Sequence, residues 1–297
     1  MMTFIPPLPK ELNFVELLEK LREISWGASD ILMAYARGTQ PPHGFSSSLN
    51  VINFSDGPVT AADLSVNSWV LENLENSYPN VSWQYLSEET AKDKLNDGVP
   101  INSDWLWILD PLDGTKDFLV GNGEYAMHLA LVYKNRPILG IVLIPELEEL
   151  WIGALGMGTW CEGRDAIKKT FAFSQRKELK DLVLVASRNH RNDILEELIK
   201  SLKVSSSKSV GSIGCKIAMI LRGEADFYIS LSGTSSPKDW DLAAPEILLI
   251  SAGGRLTKHT NQQLLYNTGD VNQRGCLVAC HGISHDCLLD NIQLFMK

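Results

Sequence analysis

The stretch Trp105-Leu106-Trp107-Ile108-Leu109-Asp110-Pro111-Leu112-Asp113-Gly114-Thr115 changes character halfway along. Its first five residues are continuously apolar, the pattern of a strand covered on both faces. Two acids then follow around a Pro-Leu pair, with Gly-Thr directly behind. Proline fixes φ and glycine permits a left-handed bend, so the chain can fold back and aim both carboxylates, with the Leu112 carbonyl between them, at one point. Two unit negative charges about 4 Å apart repel by about 4 kcal/mol at an effective dielectric near 20. A buried strand that delivers such a pair needs a reason, and divalent cations are the economical one. Hard oxygen donors favour Mg²⁺ or Mn²⁺ over zinc.

Thr115 opens a predicted helix, because Lys116-Asp117-Phe118 follows at once. The free amides of Gly114 and Thr115 then form a candidate phosphate cradle beside the metal ligands. The combination points to metal-assisted transfer of a phosphoryl group to water. Thr115, with an acid such as Asp63 or Glu89, is the candidate for taking the proton from that water. A nucleophilic-aspartate phosphatase would instead show Asp-x-Asp-Gly-Thr near the start of the chain; here the spacing is Asp-x-x-Asp, a third of the way along.

Outward from this stretch, apolar residues from Phe14 to Leu32 recur at helical spacing, which predicts a helix over 13–36 with one buried stripe. A loop over 38–48, a short strand over 50–54 and a turn at Asp56-Gly57-Pro58 follow. Thr60 with Asp63 three residues on reads as the start of a helix reaching about Asn76. A strand over 81–86 ends in Ser87-Glu88-Glu89, and 90–104 reads as a polar loop. Strands are predicted over 125–133, 138–144 and 149–154, then a turn in the glycine-rich 153–158. Beyond about 165 the pattern alternates: strand 182–186, helices 193–202 and 214–221, strand 225–230, helix 242–252, strand 276–279 and helix 285–296. The order predicts an α/β protein, with an α+β first half and an α/β second half. The division expected is a metal- and phosphate-binding domain over 1–165 and a substrate-binding domain over 166–297. Candidate acids fall at element ends: Asp63 in a first helical turn, Glu88 at a strand end, Asp110 and Asp113 at the bend, and Asp241 at a helix start.

The 297 residues carry 27 Lys and Arg against 36 Asp and Glu, a formal net charge of −9. That balance argues against a partner held by diffuse positive charge, nucleic acid or an anionic membrane. It leaves room for a small phosphorylated ligand, since metal ions invert the local field. The first residues lack a basic segment and a small-residue cleavage site, and no apolar run approaches the length of a bilayer span. Five cysteines, odd in number, fit reduced thiols in a cytoplasmic setting. Cys276, Cys280, His281 and His285 imitate a zinc spacing, but in a strand the two cysteines stand about 13 Å apart at roughly 3.3 Å per residue. His128, within an apolar strand, reads as a core histidine.

Asp110-Pro111-Leu112-Asp113-Gly114-Thr115, the downstream Trp240-Asp241-Leu242-Ala243-Ala244-Pro245 and Ala252-Gly253-Gly254 resemble the inositol monophosphatase superfamily. Pro58-Val59-Thr60-Ala61-Ala62-Asp63 and Ser87-Glu88-Glu89 match two further stretches in the same order. The resemblance implies a five-layered αβαβα sandwich and Mg²⁺-dependent, Li⁺-sensitive phosphomonoester hydrolysis with two or three ions. It also implies Glu88, Asp110, the Leu112 carbonyl, Asp113 and Asp241 as metal ligands, and Asp63 as the acid that positions water or a weaker ion. By the same resemblance Thr115 orients the water, Asp113, Gly114 and Thr115 touch phosphate, and Asp241 bridges a metal and the substrate's hydroxyls, with Glu88 also at the substrate.

Asp113-Gly114-Thr115-Lys116-Asp117-Phe118 and Ser187-Arg188-Asn189-His190 are most similar to the 3′(2′),5′-bisphosphate nucleotidases of that superfamily. Arg188 and His190 would then meet a second phosphate or an adenine. The expected substrates are 3′-phosphoadenosine 5′-phosphate and its sulfated relative, in sulfur assimilation. The alternatives are inositol monophosphatase or sugar-bisphosphatase activity, or a non-catalytic ligand-binding homologue. Monomer and homodimer both remain open.

Overall fold

In the computed structural model the described residues are 8–54, 57–91, 98–233, 235–282 and 284–296. Asp56 of the expected turn, and part of the polar loop over 90–104, lie outside them.

The first helix, α1 (Phe14–Ala36), starts where the Asn13 side chain accepts from the amides of Val15 and Glu16. Its apolar positions recur every three or four residues, and the resulting stripe, including Leu17, Leu21, Ile24 and Ile31, is fully buried. A hairpin of β1 (Val51–Phe54) and β2 (Gly57–Thr60) leads into α2 (Ala61–Ser77). Thr60 caps α2, and Asp63 closes the reciprocal half of the capping box.

Seven strands form the first sheet in the order β3 (Gln84–Ser87), β4 (Trp105–Asp113), β5 (Ala126–Tyr133), β6 (Arg136–Ile144), β7 (Glu149–Ala154), β8 (Gly158–Glu162) and β9 (Lys168–Lys169). Only β3 and β4 run parallel there; the other neighbours are antiparallel. The second sheet has the order β11 (Ser206–Val210), β10 (Val183–Ser187), β12 (Phe227–Leu231), β14 (Cys276–Cys280) and β13 (Arg255–Lys258). The remaining helices are α3 (Thr115–Val120), α4 (Asp193–Leu202), α5 (Ile213–Leu221), α6 (Asp239–Ser251) and α7 (His285–Phe295).

Alternation along the strands sorts these elements into layers. Met127, Leu129 and Leu131 of β5 join Ile24, Ile31, Val66 and Val70 of α1 and α2 in one core. The intervening Ala130 and Val132 face the other way, into a core shared with Ile217 and Leu221 of α5, Ala244 and Leu248 of α6, and Val185 and Tyr228 of the second sheet. Leu184 and Phe227, on the far face of that sheet, pack with Leu198 of α4 and Leu288 of α7. The result is the αβαβα sandwich: α1 and α2, seven strands, α5 and α6, five strands, then α4 and α7. Gly140 and Gly153, paired across β6 and β7, let α6 lie directly on the first sheet. A Cβ at Gly140 would stand 2.3 Å from a methyl of Ile247, and one at Gly153 2.7 Å from the Leu248 Cα.

Three differences from the sequence expectation concern the first sheet, the first being strand β8, which follows the expected turn and pairs with β7. Strand β4 runs through Asp110-Pro111-Leu112-Asp113, where a turn is expected, because a register shift between Asp110 and Asp113 against β5 absorbs the proline. Strand β9 still pairs with β8, so the chain leaves this sheet after Lys169. No helix among the described residues is long and apolar enough to cross a membrane.

Candidate active site

Strand β4 ends at the site, and three other elements deliver acids to it: α2, the 3₁₀ turn after β3, and α6. Asp110 is buried, and its Oδ1 accepts the Leu112 amide at 3.0 Å, which fixes the bend that also presents Asp113. Asp241 occupies the third position of α6, and its Oδ2 accepts the Lys238 amide at 2.7 Å. One carboxylate oxygen from each of Asp110, Asp113 and Asp241 lies within 4.8 Å of the others. Glu88 stands in the short 3₁₀ turn after β3, the strand parallel to β4, and so enters from the same sheet end.

Enclosure pushes the Glu88 and Asp110 carboxyls well above the usual range, and the neighbouring acids push further: Asp241 on Glu88, and Glu88 on Asp110. Asp241 rises to about 7, first through burial and then through Asp113. These acids, 131 residues apart between Asp110 and Asp241, raise one another's proton affinity across a single cleft. An all-oxygen donor set of this kind fits a hard divalent cation, which relieves the repulsion directly.

Asp113 is held by the second half of the chain. Its Oδ2 accepts the Ser212 hydroxyl at 2.7 Å and the Gly214 amide at 3.3 Å, at the N-terminus of α5. The Ile213 amide donates to the same oxygen. A carboxylate at a helix N-terminus is favoured by the free amides and the macrodipole, and Oδ1 is left for a ligand. The buried His128 Nε2 lies 3.3 Å from Asp113 Oδ2 as well. His128 is therefore more than a core residue: it pairs with Asp110 in the β4–β5 register and borders the site. Strand alternation opposite Asp110 is the signal that would have found it; Ser212 is marked locally only as a helix cap, and nothing local marks its bond to Asp113.

Asp63 divides its two oxygens between structure and site. Oδ2 accepts the Thr60 amide at 2.8 Å and the Thr60 hydroxyl at 2.6 Å, completing the α2 cap. Oδ1 faces the Thr115 hydroxyl at 3.3 Å, and the same hydroxyl lies 3.1 Å from the Leu112 carbonyl. Burial raises Asp63 to about 6, with the hydrogen bonds from Thr60 and Thr115 pulling the other way. Glu89 follows Glu88 in the 3₁₀ turn and adds its charge to Glu88's surroundings. Gly114 is left-handed at φ 93°, and a Cβ there would stand 2.9 Å from the Glu124 carbonyl. The backbone can therefore turn its amides outward at the start of α3 only with glycine at this position.

His190, after β10, accepts or donates at Nδ1 with the Ser235 hydroxyl at 3.3 Å. Burial lowers its pKa, Lys116 and Lys216 lower it further, and Asp113 opposes them, so the ring feels both the two lysines and the acid cluster. Arg188 is placed differently from the expectation. Its guanidinium is committed to Asp117, to Glu124 at 2.7 Å and to the Ser209 carbonyl at 2.9 Å, so it does not stand free for phosphate. The zinc-like spacing does not assemble: Cys280 meets His285 at 3.3 Å, while His281 turns to Asp226 at 3.6 Å.

The model of the inositol monophosphatase family matches residues 15–294. The chain belongs to that family. It is accordingly a phosphatase, a hydrolase. It is 29% identical over 262 residues to the 3′(2′),5′-bisphosphate nucleotidase CysQ of Salmonella typhimurium, covering 85% of this chain and 98% of the relative. It is 29% identical over 253 residues to the CysQ of Escherichia coli, covering 84% and 94%. The fold is similar to that of the Thermotoga maritima IMPase, with a TM-score of 0.74 at 20% identity over 95% of this chain and 98% of that one.

Proposed function

We propose that this phosphatase removes the 3′-phosphate of 3′-phosphoadenosine 5′-phosphate, and of 3′-phosphoadenylyl sulfate, giving AMP or its sulfated counterpart and inorganic phosphate. The observation that carries the reading is the charge felt at His190, where Lys116 and Lys216 act in one direction and Asp113 of the acid cluster in the other. A bisphosphate needs an acidic, metal-holding end for the phosphate that leaves and a basic end for the phosphate that stays. The likeness to two enzymes named as bisphosphate nucleotidases supports the same assignment. A role in sulfur assimilation follows from these substrates.

Glu88, Asp110, the Leu112 carbonyl, Asp113 and Asp241 would hold two or three Mg²⁺ ions. Bound there, Mg²⁺ supplies Lewis-acid charge that lowers the pKa of water and stabilises the phosphoryl oxygens. The chain's own groups do the rest. The Gly114 and Thr115 amides, at the start of α3, receive the phosphoryl oxygens. The Thr115 hydroxyl, held between the Leu112 carbonyl and Asp63, orients the attacking water in line with the ester bond. Ionised Asp63 accepts the proton that passes through Thr115. Asp241 reaches from α6 toward the substrate hydroxyl next to the scissile ester, while Ser212 keeps Asp113 from turning away.

A panel assay of phosphate release with saturating Mg²⁺ tests the proposal. The expected result is a higher kcat/KM for 3′-phosphoadenosine 5′-phosphate than for inositol 1-phosphate or fructose 1,6-bisphosphate. The opposite ranking overturns it in favour of an inositol or sugar phosphatase.

A further inference from the structure

Asp117 lies two residues into the cradle helix, is 2% exposed, and has its hydrogen bonds with three donating side chains: Asn122 at 2.6 Å and Asn189 at 2.8 Å, together with Arg188. Arg188 also reaches Glu124 at 2.7 Å, and Glu124 in turn accepts the Gly211 amide at 2.9 Å. The contact is tight enough to dictate the residue opposite. A Cβ at Gly211 would stand 2.1 Å from Asp117 Oδ2, so only glycine lets the carboxylate enter.

The geometry points to Asp117 as a positioning residue: a buried latch that fastens the Arg188-Asn189-His190 loop of the second sheet to the phosphate-cradle helix of the first. The proposal rests on the nucleotidase reading above, because it makes His190 the group whose distance from the cradle must be set. It moves Arg188 from a phosphate contact to a structural cation. A planar guanidinium fork can serve two carboxylates and a carbonyl at once, which an ammonium cannot do in this geometry. Asn189, the third arm, adjoins His190, so any slack at Asp117 passes directly to the ring. The amide of His190 donates to the Ser187 hydroxyl at 3.1 Å, which leaves the loop tied to its own strand at one end and to Asp117 at the other.

The test compares Asp117→Asn, Arg188→Lys and the milder Asn189→Ala on two substrates, 3′-phosphoadenosine 5′-phosphate and p-nitrophenyl phosphate, which has no second phosphate. Each variant is expected to raise KM for the nucleotide at least about fivefold while kcat for p-nitrophenyl phosphate stays within about twofold. Asp117→Asn combined with Arg188→Lys should cost little more than either alone, since both open the same latch. Equal losses on both substrates, an unchanged nucleotide KM, or additive costs in the double variant overturn the proposal. Amide hydrogen exchange over 187–192 gives a readout independent of the substrate. Faster exchange there in Asn189→Ala and Asp117→Asn supports the latch, and unchanged exchange refutes it. If the wild-type chain does not hydrolyse the nucleotide, the functional reading falls, and the exchange experiment still decides the latch by itself.

Discussion

The Ser212 hydroxyl donates to Asp113 Oδ2 at 2.7 Å, across 99 residues of sequence. This bond fastens the acid bend of the first sheet to the N-terminus of α5, in the layer between the two sheets. An acid aimed by β4 is thus held in place by the second half of the chain. Ser212→Ala removes the hydroxyl but leaves the helix amides. Outer contacts that orient metal ligands typically matter by about 10- to 100-fold in metal affinity. We expect the Mg²⁺ concentration for half-maximal activity to rise about tenfold, at the low end of that range, because the two amides remain. Titration of activity with Mg²⁺ in the variant checks this.

Thr115 sits between Asp63 and the Leu112 carbonyl, so Thr115→Ala should lower kcat by about 10²- to 10⁴-fold with little change in KM. Thr115→Ser, which keeps the hydroxyl, should retain most of the activity. Steady-state kinetics on the preferred substrate separate the two outcomes.

Asp63 must be ionised to accept a proton, and burial raises it to about 6. Below that pH it is protonated, so kcat should fall with acidity through an inflection at or below about 6. Bound cations nearby shift such a value downward, toward the charged form. Asp63→Asn should abolish this inflection along with most of the rate. A pH–rate profile of both proteins is the measurement.

Gly114 is left-handed, with the Glu124 carbonyl where a Cβ would go. Gly114→Ala should destabilise the fold by about 1–3 kcal/mol, the usual range for a strained backbone position. It should also lower kcat, because relaxing the strain swings the cradle amides off line. Urea unfolding and phosphate-release assays on the same preparation report the two effects separately.

Stability should also respond to pH away from the site. Burial lowers His285 to about 4 from an ordinary 6.5, with Arg255 assisting. The unfolded chain therefore binds its proton first. The contribution from neutral His285 is fully present above about 6.5 and is lost as pH falls toward about 4. Burial acts to raise Asp226, but the nearby His281 ring and hydrogen bonds from Arg176, Ser174 and the Val183 amide outweigh it and hold the carboxyl at about 2. Its stabilising effect is complete above the ordinary 3.8 and disappears as pH falls through about 2. Urea midpoints from pH 7 to about pH 2 should decline in two stages, and His285→Gln should flatten the first.

Much of this arrangement was legible in the sequence because the local rules and the chemistry coincide. Thr60 and Asp63 announce a helix cap, and the same aspartate turns its spare oxygen to Thr115. The apolar run 105–109 announces a buried strand, and its bend carries the acids. The strands left unseen lack such signals. Ser206–Val210 is polar and largely exposed at the sheet edge, so it has no alternation to read. Arg255–Lys258 is only four residues long. The contacts that hold the site are harder still to see, because they join distant segments. Ser212 with Asp113 and Arg188 with Asp117 depend on how two sheets stack, which no local spacing encodes. Arg188 illustrates the limit: its residue type fits a phosphate, but the neighbouring carboxylates engage it first.

The central claim is that acids from α6, β4 and the turn after β3 share divalent cations beside the cradle amides. Anomalous scattering from crystals soaked in Mn²⁺ tests it most directly. The account predicts at least one strong peak bounded by Asp110, Asp113 and Asp241, with Glu88 at its edge, and loss of that peak in Asp241→Asn. A wild-type crystal saturated with Mn²⁺ that shows no peak there, or shows one at another cluster, would contradict it.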